Sequence, residues 1–375
     1  MDVTEQVLLA DYTTLRLGGK ASRFTVADGD DQLVAIVRDA DAEGEPVLVL
    51  GGGSNLVVAD EGYPGVVVQM AAGGVSVAGA GDAVEVTVGA GQDWDELVRW
   101  SIAEGLSGIE CLSGIPGVTG ATPIQNVNAY GQEVAQTITC VRAYDRLLDQ
   151  VVLLTAAQCE FGYRTSMFKR HAGAGRGAAL NPAAATGRHV VLGVTFRLSA
   201  DPLSAPIRYA ELARRLEATE GDRVPLAEAR EAVLELRRGK GMVLDPADPD
   251  TRSAGSFFTN PVISAGQFED LEARVAARLP AGGTAVRIPH WPEGNEAGTV
   301  KISAAWLIEQ SGFHKGFPGD GAAVRISTKH TLALTNPGGG STTGLIALAR
   351  QVRDGVLDTF GIELVNEPVL VGVQL

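Results

Sequence analysis

The stretch EPVLVLGGGSNLVV, residues 45–58, constrains the fold most, because a strand-like apolar run enters three glycines and leaves as another apolar run. Consecutive glycines let the backbone turn sharply and bring N–H groups close to a phosphate. No helix of the doubly wound dinucleotide fold follows, and the sequence has no GxxxxGK[ST] loop. A phosphate bound here would lie in another fold, and a strand turn without a ligand is an equally good interpretation.

A second glycine-rich stretch, GIPGVTGATPIQNVNAYG at residues 114–131, is long and nearly uncharged. It is either a long surface loop or a loop that holds an extended ligand through main-chain hydrogen bonds. Loops of this length inside compact domains are uncommon and usually functional, which favours the ligand loop. Together the two stretches predict a dinucleotide whose pyrophosphate is bound without a helix dipole.

Short β-type runs separated by glycine-rich turns fill much of the first half. They are ASRFTVA, PVLVLGGGSNLVV, GVVVQM, GVSVAGAGDAVEVTVGAG and HVVLGVTFRLS. One clear helix interrupts them at residues 93–104, with Asp93 as its N-cap and apolar positions at 94, 97, 98 and 102. Residues 170–188, rich in glycine and alanine, predict a flexible insertion.

Helical patterns dominate from about residue 206, which predicts one domain over residues 1–200 and a second over 206–375. The predicted helices are YAELARRLEA, PLAEAREAVLELRRGKG, SAAWLIEQSG and residues 342–360. The final run, IELVNEPVLVGVQL, predicts a last strand. It contains Glu367, a carboxylate in an otherwise apolar run. Glu367 either faces water at a turn or is a buried functional carboxyl whose pKa is raised.

The net charge of −14 argues against nucleic acid or an anionic membrane as a partner. No apolar run approaches the roughly 20 residues of a membrane span, and the acidic N-terminus does not resemble a signal peptide, so we expect a cytoplasmic protein. The three cysteines, Cys111, Cys140 and Cys159, form no CxxC pair. They predict buried free thiols, with neither a disulfide framework nor a metal site.

Several polar side chains are candidates for chemistry, each with a plainer alternative. Ser256 lies between glycine and two phenylalanines in AGSFFTNP. It is either an ordinary turn residue or a hydroxyl that is held in place for chemistry. Arg164, in YRTSMFK, offers a planar cation for a carboxylate or oxyanion, although a solvated strand end is the more common interpretation. Lys315 in GFHKG and His330 in STKHT are cationic points in an acidic chain, a kind of residue that more often lies on the surface.

Six motifs occur in one order: LGGGSNLVV, SGIPGVTGATPIQNVNAYGQE, YRTSMFK, AGSFFTNP, KISAAWLIEQSGFHKG and NEPVLVG. In these the chain resembles the UDP-N-acetylenolpyruvoylglucosamine reductases, from about residue 10 to the C-terminus. The resemblance implies an α+β fold, with a vanillyl-alcohol-oxidase (PCMH-type) FAD-binding domain followed by an α/β substrate-binding domain. It also implies an oxidoreductase acting on a CH–CH group: NADPH reduces noncovalent FAD, and hydride then passes to the enolpyruvyl group of a UDP-sugar, giving UDP-N-acetylmuramate for peptidoglycan.

The resemblance also implies roles for individual residues. Ser256 matches the proton donor to C2 of the enolpyruvyl group, while Arg164 and Glu367 match the pair around the substrate carboxylate. The FAD-binding positions are Gly52, Gly53, Ser54, Asn55, Gly117, Thr119, Gly120 and Ala121, and the substrate-binding positions are Tyr209, Lys240, Asn260, Lys315 and His330. Tyr209 points to the subclass with a mobile tyrosine loop, and the last strand is expected to carry Glu367 back to the active site.

The histidines of the first half, His171 and His189, flank the predicted insertion and not a glycine loop, so we expect the flavin to be noncovalent. We expect a monomer. Two other functions stay open: a non-catalytic nucleotide-sugar sensor, and a sugar oxidase that uses FAD and oxygen on the same fold.

Overall fold

The computed structural model describes residues 4–79, 81–171, 186–278, 287–292 and 298–375. Its strands are β1 Thr4–Leu8, β2 Lys20–Ala27, β3 Val47–Leu50, β4 Leu56–Val58, β5 Tyr63–Met70, β6 Val75–Ala78, β7 Ala83–Gly89, β8 Leu106–Ser107, β9 Asn128–Ala129, β10 Gln132–Glu133, β11 Ile138–Asp145, β12 Gln150–Thr155, β13 His189–Ala200, β14 Val262–Ser264, β15 His290–Pro292, β16 Thr299–Ile302, β17 Arg325–Ile326, β18 Leu334–Thr335 and β19 Val369–Val371. Its α-helices are α1 Asp30–Glu43, α2 Trp94–Ala103, α3 Met167–Arg170, α4 Ala210–Arg215, α5 Leu226–Gly239, α6 Ala265–Ala277, α7 Ala304–Gln310 and α8 Thr342–Phe360.

Two sheets form the first half. A smaller sheet has the order β1-β2-β5-β3, in which β5 pairs in parallel with both β2 and β3. The inner strand β5 is buried along almost its whole length, as expected for a parallel strand covered on both faces. The larger, antiparallel sheet has the order β12-β11-β13-β7-β6, and β7 alternates buried and exposed residues because one of its faces meets solvent.

The helices of the first half cover these sheets. Helix α2 begins at the predicted cap, where the Asp93 carboxylate accepts from Glu96 N–H at 2.9 Å, and it buries Trp94, Leu97 and Val98. Helix α1 was not predicted. Its buried positions, Leu33, Val34, Ile36, Val37 and Ala40, have helical spacing, but they lie among acidic residues in a strand-rich stretch that hides the pattern.

Helices α6, α7 and α8 of the second half contribute to a second hydrophobic core, which Leu15, Leu17 and Val57 of the first half join. Helix α8 agrees with the predicted residues 342–360 and ends at Gly361, whose left-handed φ of 71° caps it. Helix α6 was missed, although Ser264 and Gln267 form a capping box at its start.

The C-terminal segment returns to the first half. Strand β19 pairs in parallel with β4, with Val369 opposite Leu56. Because β4 directly follows the first glycine turn, this pairing brings the C-terminal segment beside that turn. The predicted last strand was too long. Only Val369–Val371 is extended with a partner strand, because Pro368 lacks the N–H that would continue the ladder. Glu367 therefore lies just before the strand.

The domain boundary at residues 200–206 stays a prediction. Helices α4 and α5 join Cys111 of the first half in a small hydrophobic cluster. Most of the predicted insertion, residues 172–185, lies outside the described residues.

Two of the three thiols agree with the sequence prediction, since Cys111 and Cys159 are buried. Cys140 is only half-buried because the side chains of β11 alternate between faces, and the core side is taken by Val141. None of the helices in the described ranges combines the length and apolarity required to cross a bilayer.

Candidate functional site

One large cavity, of about 1100 Å³, runs between the two halves of the described chain. Single small-ligand sites are typically about 300–1,000 Å³, so this cavity has room for an extended ligand or for two ligands. Both glycine-rich stretches, the YRTSMFK and AGSFFTNP segments and Glu367 contribute to its wall.

The two glycine stretches, which are some 60 residues apart in sequence, are in direct contact. The Ser54 hydroxyl donates to Pro116 O at 2.8 Å, and a Cβ on Gly52 would lie 2.6 Å from Gly117 Cα. Gly53 adopts a left-handed φ of 59°, and a Cβ there would meet Tyr12 O at 1.9 Å. These glycines are required by the close approach of three backbone segments.

Backbone amides without a protein acceptor occur at this junction. Among the described residues, the amides of Gly52, Gly53, Ser54, Gly117 and Val118 donate to no protein acceptor. Five N–H groups at the wall of one cavity form a binding surface for an anion, such as a pyrophosphate, without a helix N-terminus. The residues present therefore fit the phosphates of a dinucleotide cofactor.

The predicted FAD-binding residues are not all at this surface. Gly52, Gly53, Ser54, Asn55, Gly117, Gly120 and Ala121 line the cavity. Thr119 is buried beneath the loop, where its hydroxyl donates to Gln92 O at 3.1 Å, so its contribution is to hold the loop in shape.

Ser256 and Glu367 are brought together by backbone pairing. Phe258 forms an isolated antiparallel bridge with Asn366, and Glu367 N–H donates to Phe257 O at 2.8 Å. Phe257 and Phe258 are each 1% exposed and pack edge to face, which anchors the segment. Ser256 lines the cavity, and its hydroxyl has no hydrogen-bond partner in the part of the chain that is described.

Arg164 approaches the same point from the first half. Its φ of 51° is unusual for a residue with a side chain and marks a tight turn that Gly162 and Thr165 bridge. Arg164 Nε lies 3.2 Å from Glu367 Oε1, yet this buried N–H forms no hydrogen bond within the described structure. The Arg164 guanidinium therefore lies at the cavity wall beside the Glu367 carboxylate.

Burial raises the pKa of Glu367, and the nearby cations Arg164 and Lys169 oppose that shift. Burial also lowers the pKa of Lys169, which lies at the cavity wall. The carboxyl is held by Gln125, which donates to Glu367 Oε1 at 3.4 Å and accepts from Asn55 Nδ2 at 2.8 Å. Gln125 connects the glycine turn to the carboxyl, a role that the sequence prediction missed although the residue lies in the quoted loop.

A cluster of polar and aromatic residues forms another part of the wall. Lys240 Nζ donates to Glu211 Oε2 at 2.6 Å and lies 5.5 Å from the centre of the Tyr130 ring, which meets Tyr209 edge to face. Of these, Tyr209 and Lys240 were predicted, whereas Glu211 and Tyr130 were not.

His330 lines the cavity, and its pKa is lowered to about 4 by burial and by the charges of Lys240, Lys315 and Arg237. It is therefore neutral at pH 7. Lys315 contributes charge here, but it is exposed and is not among the described residues that line the cavity.

Asn260 also lies at the cavity wall. Its side-chain oxygen accepts from the Ala304 N–H at the start of α7 at 2.9 Å, which leaves its amide N–H groups for a ligand.

His189 differs from its expected position. Although distant in sequence from both glycine stretches, it lines the cavity at the start of β13. Its ring is buried, with Nε2 3.4 Å from Asp145 Oδ2, and it stacks on His171 with ring centres 6.0 Å apart.

Comparisons with known proteins agree with this arrangement. The model of a UDP-N-acetylenolpyruvoylglucosamine reductase C-terminal domain matches residues 246–371, and that of an FAD binding domain matches residues 22–149. A UDP-N-acetylenolpyruvoylglucosamine reductase from Thermobifida fusca is 57% identical over 370 residues, with 98% of each chain covered. The chain belongs to the UDP-N-acetylenolpyruvoylglucosamine reductase family.

Other members of the reductase family match over the same length. The relative from Salinispora arenicola is 54% identical, covering 98% of this chain and 95% of its own. The crystal structure of the reductase from Thermus caldophilus is 25% identical, with a TM-score of 0.62 and 99% of each chain covered. Membership of the reductase family confirms the predicted α+β fold with its PCMH-type FAD-binding domain, and makes the chain an oxidoreductase that uses FAD.

Proposed function

We propose that this protein reduces UDP-N-acetylenolpyruvoylglucosamine to UDP-N-acetylmuramate, a peptidoglycan precursor, with NADPH as the reductant. The observation that carries the proposal is the meeting of Ser256, Arg164 and Glu367 beside the glycine junction. A hydroxyl, a guanidinium and a buried carboxyl, supplied by three distant segments, are the groups that protonation of an enolate requires.

FAD, once bound and reduced, supplies the hydride that adds to C3 of the enol ether. Negative charge then develops at C2 and spreads into the substrate carboxylate. The Arg164 guanidinium, at the cavity wall beside Glu367, is proposed to donate a hydrogen bond to that charge. The site is largely buried, so water screens this interaction less and the interaction is stronger.

Ser256 is proposed to give its proton to C2. A serine hydroxyl is a weak acid, so it can serve only if the acceptor is strongly basic and the hydroxyl is held in place. The two buried phenylalanines after Ser256 and the hydrogen bond from Glu367 N–H to Phe257 O fix the backbone from which the hydroxyl projects.

Glu367 is proposed to act in its protonated form, adding a hydrogen bond to the substrate carboxylate. Its raised pKa means that the neutral carboxyl persists to higher pH than an exposed glutamate's would. Glu367→Gln keeps a neutral donor, so we expect a small loss of turnover near neutral pH. Glu367→Ala should cost about 10- to 100-fold, as expected for a lost hydrogen bond to a charged group.

The pH profile of turnover checks this assignment. Wild-type activity should fall as the pH rises through the pKa of Glu367, and this limb should be absent in Glu367→Gln. Identical limbs in the two proteins would remove Glu367 as their cause.

The experiment for the function itself is anaerobic. NADPH oxidation should depend on UDP-N-acetylenolpyruvoylglucosamine and yield one UDP-N-acetylmuramate per NADPH. A purified protein that gains no flavin absorbance when FAD is added would count against the proposal. A sensor would bind the nucleotide-sugar without consuming NADPH, and an oxidase would turn over with oxygen and a simple sugar.

We propose that the flavin is held without a covalent bond. Two histidines of the described chain line the cavity, His189 and His330, and the one from the FAD-binding half, His189, has a buried ring with Nε2 3.4 Å from Asp145 Oδ2. Acid precipitation should therefore release all the yellow colour into the supernatant, measured at the flavin absorbance maximum. Flavin retained in the washed pellet, and lost in His189→Ala, would contradict this prediction.

A further inference from the structure

We infer that Glu211 is an exchangeable counter-ion for Lys240, and that it weakens the binding of a nucleoside diphosphate by competing for that ammonium group. The inference deepens the proposed function, on which it rests, because it concerns the diphosphate of the UDP-sugar. It gives Glu211 a role in setting the affinity for the diphosphate, although Glu211 belongs to none of the sequence motifs and to none of the proposed catalytic groups.

The contact between the two residues is close and accessible. Lys240 Nζ donates to Glu211 Oε2 at 2.6 Å, and the two side chains are 30% and 33% exposed. Lys240 follows the last turn of α5, and Glu211 lies in the first turn of α4. The pair therefore joins two helices across the wall of the cavity without being sealed from water.

The positive charges around Lys240 favour a ligand that carries more negative charge than the single carboxylate of Glu211. His330, at the cavity wall, experiences the positive charges of Lys240, Lys315 and Arg237, and Lys240 and Arg237 themselves line the cavity. Arg208 and Arg214 also line the cavity. Glu211 adds a negative charge beside these cations, and this charge repels an approaching diphosphate.

Exchange is energetically reasonable. A half-exposed ion pair is weak, and a diphosphate offers Lys240 more charge than Glu211 does. When the ligand takes over the ammonium group, Glu211 is repelled toward solvent. Helix α4 stays attached to α5 through the Arg215–Glu235 ion pair and a shared hydrophobic cluster, so the exchange does not require the helix to separate.

The test measures equilibrium binding of UDP to the oxidised holoenzyme, with uridine as the probe that lacks phosphate. Glu211→Gln should bind UDP about two- to fivefold more tightly than wild type, the size expected when a half-exposed ion pair no longer has to be broken. Uridine affinity should not change.

Glu220→Gln is the matched control, because Glu220 also lines the cavity and removing it changes the net charge equally. The structure gives Glu220 no ion pair with a described residue, so its variant should bind UDP like wild type. Flavin content and thermal unfolding of each variant establish that it is folded.

A double-mutant cycle isolates the contact. In a Lys240→Ala background, which should itself weaken UDP binding, Glu211→Gln should have no further effect. Equal UDP affinities for wild type, Glu211→Gln and Glu220→Gln would overturn the inference while leaving the proposed function intact. An equal gain in UDP affinity in Glu211→Gln and Glu220→Gln would show a general effect of net charge, and this result would also overturn the inference. Failure of wild-type holoenzyme to bind UDP would instead overturn the proposed function.

Discussion

Replacing Ser256 by alanine is expected to leave flavin reduction by NADPH nearly unchanged while slowing product formation about 10²- to 10⁴-fold, the usual contribution of a positioned general acid. The two half-reactions separate because Ser256 is proposed to act only after hydride has reached C3. Stopped-flow absorbance would follow flavin reduction first, and then flavin reoxidation when the UDP-sugar is added without oxygen.

Thr259→Val is the matched control for Ser256→Ala. Thr259 belongs to the same segment and its hydroxyl is directed to Val365 O at 3.4 Å, away from the proposed chemistry. The control should retain both half-reactions near the wild-type rate. Turnover of Ser256→Ala near the wild-type rate would exclude the hydroxyl as the proton donor.

Replacing Arg164 by alanine should lower turnover by at least about 10²- to 10³-fold, the typical cost of losing a preorganised donor at a developing oxyanion. The physical reason is the Arg164 guanidinium, which lies at the cavity wall beside Glu367, where it is proposed to meet the charge on the enolate. Substrate affinity should suffer less than turnover, because the charge on the enolate exceeds that on the ground-state substrate.

Arg164→Lys is the informative companion. Lysine restores the positive charge but not the planar fork, so we expect only partial recovery. Loss of Arg164 also removes a cation that opposes the raised pKa of Glu367, so the alkaline limb of the pH profile should move to higher pH. An Arg164→Ala variant with a raised KM but an unchanged kcat would show that Arg164 only binds substrate.

The sequence predicted the elements whose signals are local. Helix α8 carries a long apolar face and a glycine stop, and α2 has an aspartate cap, so both were predicted within a residue or two. Helix α1 was missed because its acidic residues lie among strand-like runs, and the last strand was drawn too long because burial alone does not show which part of an apolar run has a partner strand.

The site was predictable only in part. The motifs indicated Ser256, Arg164 and Glu367, but no pattern shows that the segment after Ser256 pairs with the residues around Glu367. Gln125 and Glu211 were missed because their partners lie 242 and 29 residues away in sequence. Contacts of this kind depend on the closure of the fold, which brings the glycine junction, the catalytic groups and the Lys240 cluster to one cavity.

The most direct test of the central claim is a single anaerobic turnover. Enzyme with its flavin reduced by one equivalent of NADPH is mixed with UDP-N-acetylenolpyruvoylglucosamine in D₂O, and the product is analysed by NMR. The account predicts full flavin reoxidation and UDP-N-acetylmuramate with solvent deuterium at C2, a step that Ser256→Ala should slow. Flavin that stays reduced until oxygen is admitted, with the UDP-sugar recovered unchanged, would contradict it.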